Sequence, residues 1–362
     1  MPIPSQRDLV EARESITKWF AGLHPQGTDL TLSAMTAPQG TGFSNETLLF
    51  DAKWNEDGER RTDSLVLRVK PSGYRVFMED AFEEQYRVLA ELDRRAVKVP
   101  YVVAYEDDLS VIGAPFYVMR RVEGKVPGDN PPYNASGWLY DLSPAKRRQI
   151  WESGVATLCE VHRAGASAEG FEFLANPARG ASGVEQQLRY YEESFAWAAG
   201  GRSFPLPEAA IEWLRAHLPE HPPTALSWGD ARIANMIFDG TDCRAVLDWE
   251  MVSLGGPEMD LGWWLFLDRY SAEGNGLARL SGLGSRQETI DLWQEHTGLV
   301  ARDLEFYEVF AGLRFAVVMM RLSQMFTQWE LPVDPEMEAN NPVTQQLADL
   351  LGLPHPSSSS SS

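Results

Sequence analysis

Apolar residues near the start of the chain recur at helical spacing. Leu9, Ile16, Trp19, Phe20 and Leu23 share one stripe, which predicts a helix over about 6–22. Ser5 and Asp8 before it resemble a capping box with Asp in place of the usual Glu. The pattern then changes. Residues 47–54 and 65–69 are two apolar runs around the polar turn Asn55-Glu56-Asp57-Gly58, which predicts a β-hairpin. A helix follows at about 80–95, then a mixed strand region ending in Phe116-Tyr117-Val118-Met119. Past Gly124 the loop signal Gly128-Asp129-Asn130-Pro131-Pro132 precedes a region where helical periodicity dominates. Helices are expected over 144–163, 183–197, 208–218, 258–270, 287–295 and 304–329, interrupted by a short hairpin near 236–247. The serine tract 357–362 has nothing to bury and is expected to be disordered. The pattern therefore predicts an α+β chain: an N-terminal helix (1–29), a β-rich unit (30–121), a larger helical unit (122–352) and a tail (353–362).

A length of 362 residues agrees with two units, and 44% hydrophobic against 23% charged residues excludes wholesale disorder. Lys+Arg is 32 and Asp+Glu is 52, so the net charge is 32 − 52 = −20. A field of that sign repels phosphate backbones and anionic lipid, so neither nucleic acid nor a membrane surface is an expected partner. No apolar run approaches the roughly 18 residues of a spanning helix, and residues 1–8 lack the layout of a signal peptide. The two cysteines, Cys159 and Cys243, lie outside any CxxC pattern, which excludes a disulfide scaffold and fits a reducing compartment. A cytoplasmic protein is expected. No repeat at a solenoid period is visible.

Three stretches carry candidate chemistry. Gly40-Thr41-Gly42-Phe43-Ser44-Asn45 is glycine-rich but has neither the lysine of a Walker A loop nor the third glycine of a dinucleotide fold. A glycine loop between strands can lay backbone N–H groups over nucleotide phosphates; an ordinary hairpin turn is the other reading. The second stretch is Trp228-Gly229-Asp230-Ala231-Arg232-Ile233-Ala234-Asn235. An Asp followed by an Asn at this spacing, just before a strand, suits phosphoryl transfer: the Asp accepts the proton of the attacking hydroxyl and the Asn oxygen holds Mg²⁺. Asp248 ends the hairpin that begins after Asn235. With paired strands about 4.8 Å apart, Asn235 and Asp248 can converge on one hard cation, although Asp248 could instead cap the next turn. The third is Arg68 in Val66-Leu67-Arg68, a cation on the strand after the glycine loop, placed to grip phosphate in bidentate fashion. Its helix partner is sought in Glu83-Glu84-Gln85-Tyr86-Arg87, where a solvated charged face is the plainer account.

These stretches, with Phe116 to Gly124, Val246 to Glu250 and Gly256-Pro257-Glu258-Met259-Asp260, resemble the aminoglycoside phosphotransferase-like (kinase-like) family over about 30–330. Residues 110–119 look most like the branch that includes kinase-like domains fused to acyl-CoA dehydrogenases, and mycobacterial relatives. The resemblance implies a two-lobed protein-kinase-like fold, with 30–121 the nucleotide-binding lobe and 122–352 the catalytic and substrate lobe. It implies ATP and Mg²⁺ as cofactors and a small-molecule hydroxyl as acceptor, either aminoglycoside-like or a hydroxylated metabolite such as a hydroxyacyl compound. ATP would be held by Gly40, Gly42, Phe43, Ser44, Asn45 and Arg68, with adenine beside Met119, Arg120 and Val122. Asp230 would be the base, Asn235 and Asp248 the metal ligands, and Asp260 a brace for the Asp230 loop. The chain departs from the family at Trp228, where His is usual and packing by Trp is expected instead. It departs again at Arg68, often Lys, and at Gln85, aligned with the helix glutamate.

Other candidates are weaker. His162 reads as a buried packing histidine, and His24, His221, His296 and His355 show no metal-ligand spacing. No Gly-x-Ser-x-Gly elbow occurs. Trp263-Trp264 and Phe306, Phe310, Leu313, Val317 and Met320 read as core. The alternatives to a small-molecule kinase are a nucleotide-binding pseudokinase or regulator without turnover, favoured by Trp228 and Gln85, and a protein kinase, opposed by the lack of an Asp-Phe-Gly/Ala-Pro-Glu activation segment.

Overall fold

The computed structural model describes residues 7–38, 46–71 and 73–356; the glycine loop 40–45, Ser5 and the serine tract lie outside the described residues. The chain forms two compact units, 1–75 with 100–123, and 76–99 with 124–362.

In the first unit, helix α1 (Leu9–Leu23) begins where Asp8 caps it, its Oδ1 accepting the N–H of Val10 at 2.8 Å and of Glu11 at 3.2 Å. The helix thus starts later than its apolar stripe suggested, because Asp8 satisfies the first free amides itself. Strands β1 (Thr28–Leu32), β2 (Glu46–Glu56) and β3 (Glu59–Val69) precede β4 (Val102–Glu106), a one-turn helix α3 (Leu109–Ile112) and β5 (Phe116–Arg120). They form an antiparallel sheet in the order β1-β2-β3-β5-β4. The β2–β3 turn is Asp57-Gly58, both at positive φ (53° and 77°), the turn whose twist matches its flanking strands.

Period-two alternation decides the faces of this sheet. Leu48, Phe50, Ala52, Trp54, Leu65, Leu67, Val69, Phe116 and Val118 are buried with Ile16 and Phe20 of α1 in one core. Val66 and Arg68, out of phase with them on β3, belong to the opposite face.

In the second unit, α2 (Phe82–Arg94) buries Phe82, Gln85, Val88, Leu89 and Leu92. It is followed by α4 (Pro144–Ala164), α5 (Gly183–Ala199), α6 (Pro205–Ala216), the hairpin β6 (Met236–Asp239) and β7 (Asp242–Val246), and helices α7 (Pro257–Ala272), α8 (Arg286–Thr297), α9 (Leu304–Gln328) and α10 (Pro342–Leu351). Helix α9 packs against α5, α6, α7 and α10. Its 25 residues are long and apolar enough by composition to cross a membrane, which corrects the expectation that no such run exists. Most of its apolar stretch is buried inside this unit, as in the core helix of a bundle. The pattern does not single out the edge strand β1 or helix α10, since Thr-Asp-Leu-Thr-Leu is short and α10 follows a run of turn residues.

Cys159 and Cys243 are buried, and burial pushes their thiols up to about 12 and about 11. Neither should react with a thiol reagent near neutral pH until the protein is denatured. Fast stoichiometric labelling of the native protein would contradict this packing.

Candidate active site

The residues singled out around Asp230 all fall in the second unit, and one buried carboxylate organises their loop. Asp260, in the first turn of α7, is fully buried. Its Oδ1 accepts the Ser227 hydroxyl at 2.8 Å and the Gly229 N–H at 2.8 Å, and its Oδ2 accepts the Trp228 N–H at 2.6 Å. His162 Nε2 completes the set at 3.0 Å from Oδ2. The Trp293 indole, which can only donate, meets His162 Nδ1 at 2.9 Å, so the ring proton sits on Nε2 and is donated to Asp260. His162 is therefore the hydrogen-bonded packing histidine the pattern suggested, with a task besides: it orients the carboxylate that holds residues 227–229.

The Trp228 side chain does more than fill space. It is fully buried, its ring centroid lies 5.8 Å from that of Trp249 at a tilt of 35°, and its Nε1 donates to the carbonyls of Leu247 (2.8 Å) and Asp248 (3.1 Å). This fastens the loop to the base of the β6–β7 hairpin, just after β7. Gly229 next to it has φ +96°, and a Cβ there would lie 2.1 Å from the Met251 carbonyl oxygen. Gly229→Ala should therefore lower stability by about 2 kcal/mol or more through backbone strain and overlap. A thermal melt checks this, and an unchanged midpoint would refute it.

Asp230 is 8% exposed. Asn235 Nδ2 donates to its Oδ2 at 2.7 Å and to its backbone carbonyl at 3.0 Å. Trp263 Nε1 donates to its Oδ1 at 2.7 Å, and Arg232 Nε lies 3.1 Å from the carboxylate. Arg232 reaches on to Asp129. Burial works against its charge, but Asp230 and Asp129 outweigh that and raise its pKa.

A turn of 3₁₀ helix (Ile233–Asn235) leads into β6, where Met236 pairs with Val246 and the Leu247 N–H donates to the Asn235 carbonyl at 2.8 Å. The hairpin thus brings the backbone of Asn235 beside the segment leading to Asp248. Asp248 is half-buried and holds φ +62°, a conformation rare for a side-chain-bearing residue.

In the first unit, Arg68 Nη1 donates to Thr47 Oγ1 at 3.1 Å, across the β2–β3 pair. Met119 is half-buried at the end of β5, Arg120 is exposed, and Val122 follows. The N–H groups of Arg120 and Arg121 donate to the carbonyls of Tyr101 and Ser64, each at 2.8 Å. Gly40, Gly42, Phe43, Ser44 and Asn45 lie outside the described residues.

Sequence reasoning missed three side chains around Asp230. Trp263 reads as core from the pattern, yet it stands one turn beyond Asp260 on the same face of α7. Arg314 sits among residues that read as a core stripe, but it is a fully buried cation whose Nη2 donates to the Gly229 carbonyl at 2.8 Å. Arg232, two residues from Asp230, carries no role in the motif spacing.

The model of the phosphotransferase enzyme family (APH) matches residues 40–296. Acyl-CoA dehydrogenase family member 10 of Mus musculus is 32% identical over 263 residues, 72% of this chain and 22% of that protein. Acyl-CoA dehydrogenase family member 11 of Homo sapiens is 32% identical over 204 residues, 55% of this chain and 24% of that protein. The chain thus spans about a quarter of the length of these relatives. Among solved structures, a Ralstonia eutropha protein assigned as an aminoglycoside phosphotransferase aligns with TM-score 0.69 at 23% identity, over 94% of this chain and 98% of that one. The complex of APH(4)-Ia with ADP and hygromycin B aligns with TM-score 0.53 at 14% identity, over 93% and 98%. These likenesses establish a kinase-like α+β fold. With the family model covering well over half of its residues, the chain belongs to the phosphotransferase enzyme family.

Proposed function

We propose that the protein is an ATP- and Mg²⁺-dependent phosphotransferase acting on a hydroxyl group of a small molecule. The observation that carries this reading is the Asp230 carboxylate, buried yet held by Asn235, Trp263 and Arg232. A carboxylate has about four lone-pair positions. Three donors leave one for an acceptor O–H, whose proton Asp230 would take while fixing the oxygen's direction of attack.

The Asn235 Nδ2 is committed to Asp230, which leaves its Oδ1 as the atom for a cation. Asn235 and Asp248 offer an amide and a carboxylate oxygen, a donor set suited to Mg²⁺, which takes one or two protein oxygens and completes its shell with phosphate and water. When bound, the magnesium nucleotide supplies the phosphoryl group and neutralises charge that builds up during transfer. Arg68 and Gly40, Gly42, Phe43, Ser44 and Asn45 would hold the phosphates. Met119, Arg120 and Val122 would flank the base. The Arg120 and Arg121 N–H groups donate to Tyr101 and Ser64, so neither is the donor that reads its edge.

The acceptor we favour is a hydroxylated metabolite of hydroxyacyl type. The relatives at 32% identity carry acyl-CoA dehydrogenase names, whereas likeness to an aminoglycoside-bound structure is at 14% identity. The test is incubation with γ-labelled Mg-ATP and a library of hydroxyacyl thioesters, other hydroxylated metabolites and aminoglycosides. Label on a hydroxyacyl compound supports the whole reading, and label on an aminoglycoside overturns only the acceptor class. Label on protein, or nowhere, overturns the function in favour of a protein kinase or a pseudokinase.

A further inference from the structure

We propose that Trp263 and Arg314 form a positioning couple that sets the orientation of the Asp230 carboxylate from the helices behind it; this rests on the reading of Asp230 as the base. Both side chains come from buried faces of neighbouring helices, α7 and α9. The Trp263 indole N–H meets Asp230 Oδ1 at 2.7 Å, short for a bond of this kind, as expected when the acceptor is charged. Trp263 is 3% exposed, so water does not readily compete for that oxygen.

What fixes the indole is Arg314. Its guanidinium lies 4.6 Å from the Trp263 ring centroid, 5.3 Å from that of Tyr191 and 5.9 Å from that of Phe310. A cation over an aromatic face is held by the ring quadrupole, and more strongly where water is excluded. The same guanidinium donates to the Gly229 carbonyl, one residue before Asp230. Among the described residues no carboxylate lies within ion-pair distance of Arg314, although the residue is fully buried. A buried charge without an acidic partner is costly, and here it is spent on the Gly229 carbonyl of the Asp230 loop and on the Trp263 ring of α7. One arginine therefore grips the loop backbone and clamps the ring whose N–H holds the Asp230 carboxylate.

A purely structural tryptophan would need the ring and not the N–H, so Trp263→Phe separates the two roles. The wild-type protein with ¹⁵N-labelled tryptophan should show a Trp263 indole N–H signal, assigned by its loss in Trp263→Phe, that moves upfield in Asp230→Asn. Arg314→Lys, which keeps the charge and loses the planar guanidinium, should move the same signal. With the acceptor found in the screen, Trp263→Phe should lower kcat about ten- to hundredfold, the size of one charge-assisted hydrogen bond. Its KM for ATP should be unchanged.

An indole signal that ignores Asp230→Asn overturns the proposal, as does wild-type kcat in Trp263→Phe. Arg314→Lys leaving the signal in place overturns Arg314's part. Normal turnover in Asp230→Asn overturns the assignment of Asp230 as the base, while the signal's response would still report the contact; the two failures are thus distinct.

Discussion

Asp230→Asn should abolish most turnover while nucleotide binding survives. If the carboxylate takes the acceptor's proton, its loss should cost about 10²–10⁴ in rate, the range for a removed general base. The neutral amide adds a local conflict. Asp230 Oδ1 faces the Trp263 donor, and Oδ2 faces the Asn235 donor. Whichever way the introduced amide turns, its N–H₂ group meets another donor, a mispairing worth about 1–3 kcal/mol. Asp230→Ala removes the base without that conflict and should show the same rate loss. The groups proposed to hold the phosphates and adenine, at 40–45, 68 and 119–122, do not include Asp230, and Asn235 keeps its bond to the backbone carbonyl of residue 230, so calorimetry with Mg-ATP should give affinities near wild type for both variants. Wild-type turnover in either would remove Asp230 from the mechanism.

Asp260→Ala should have the largest effect on folding. The side chain accepts from the Ser227 hydroxyl, the N–H groups of Trp228 and Gly229, and His162 Nε2, all within buried structure. Each donor stranded without a partner costs about 1–3 kcal/mol. Even two left unsatisfied would consume much of the roughly 5–15 kcal/mol that keeps a domain folded. The variant should melt far below wild type, or accumulate as insoluble protein. Asp260→Asn should be nearly as damaging, because its N–H₂ group must face at least one of those donors. A soluble, active Asp260→Ala with an unshifted thermal midpoint would contradict the role of this carboxylate. Since Asp260 acts on residues 227–229 and not on reactants, partial survivors should lose activity in proportion to lost fold.

Much of this is legible from residue order alone. The β2–β3 hairpin announces itself through Asp57-Gly58 between alternating runs, because two-residue turns of that composition leave the chain few other options. Asp230, Asn235 and the β6–β7 hairpin can be placed together because strand pairing converts sequence distance into spatial distance by a fixed rule. What pattern does not convey is contact between helices far apart in sequence. Trp263 and Arg314 look like core positions, and they are buried; only the packing of α7 on α9 makes them neighbours of Gly229 and Asp230. Trp228 is underestimated by the pattern for a related reason. A tryptophan in a histidine's usual place suggests bulk, yet its N–H finds two carbonyls some twenty residues away. The hydropathy of α9 misleads in the opposite sense, since a helix enclosed on most sides by other helices has no need of a polar face.

The hairpin between Asn235 and Asp248 also acts as a ruler. Its stem is pinned at the base by the Leu247 N–H on Asn235 and by the Trp228 indole on the carbonyls of Leu247 and Asp248. Adding or deleting one residue in either strand would swing every later side chain to the opposite surface of the ribbon, carrying Asp248 out of register with Asn235. Its exposed tip at Asp239 and Gly240 is free of that constraint. A reporter group or affinity handle inserted there can lengthen the tip without changing the strand pairing below it.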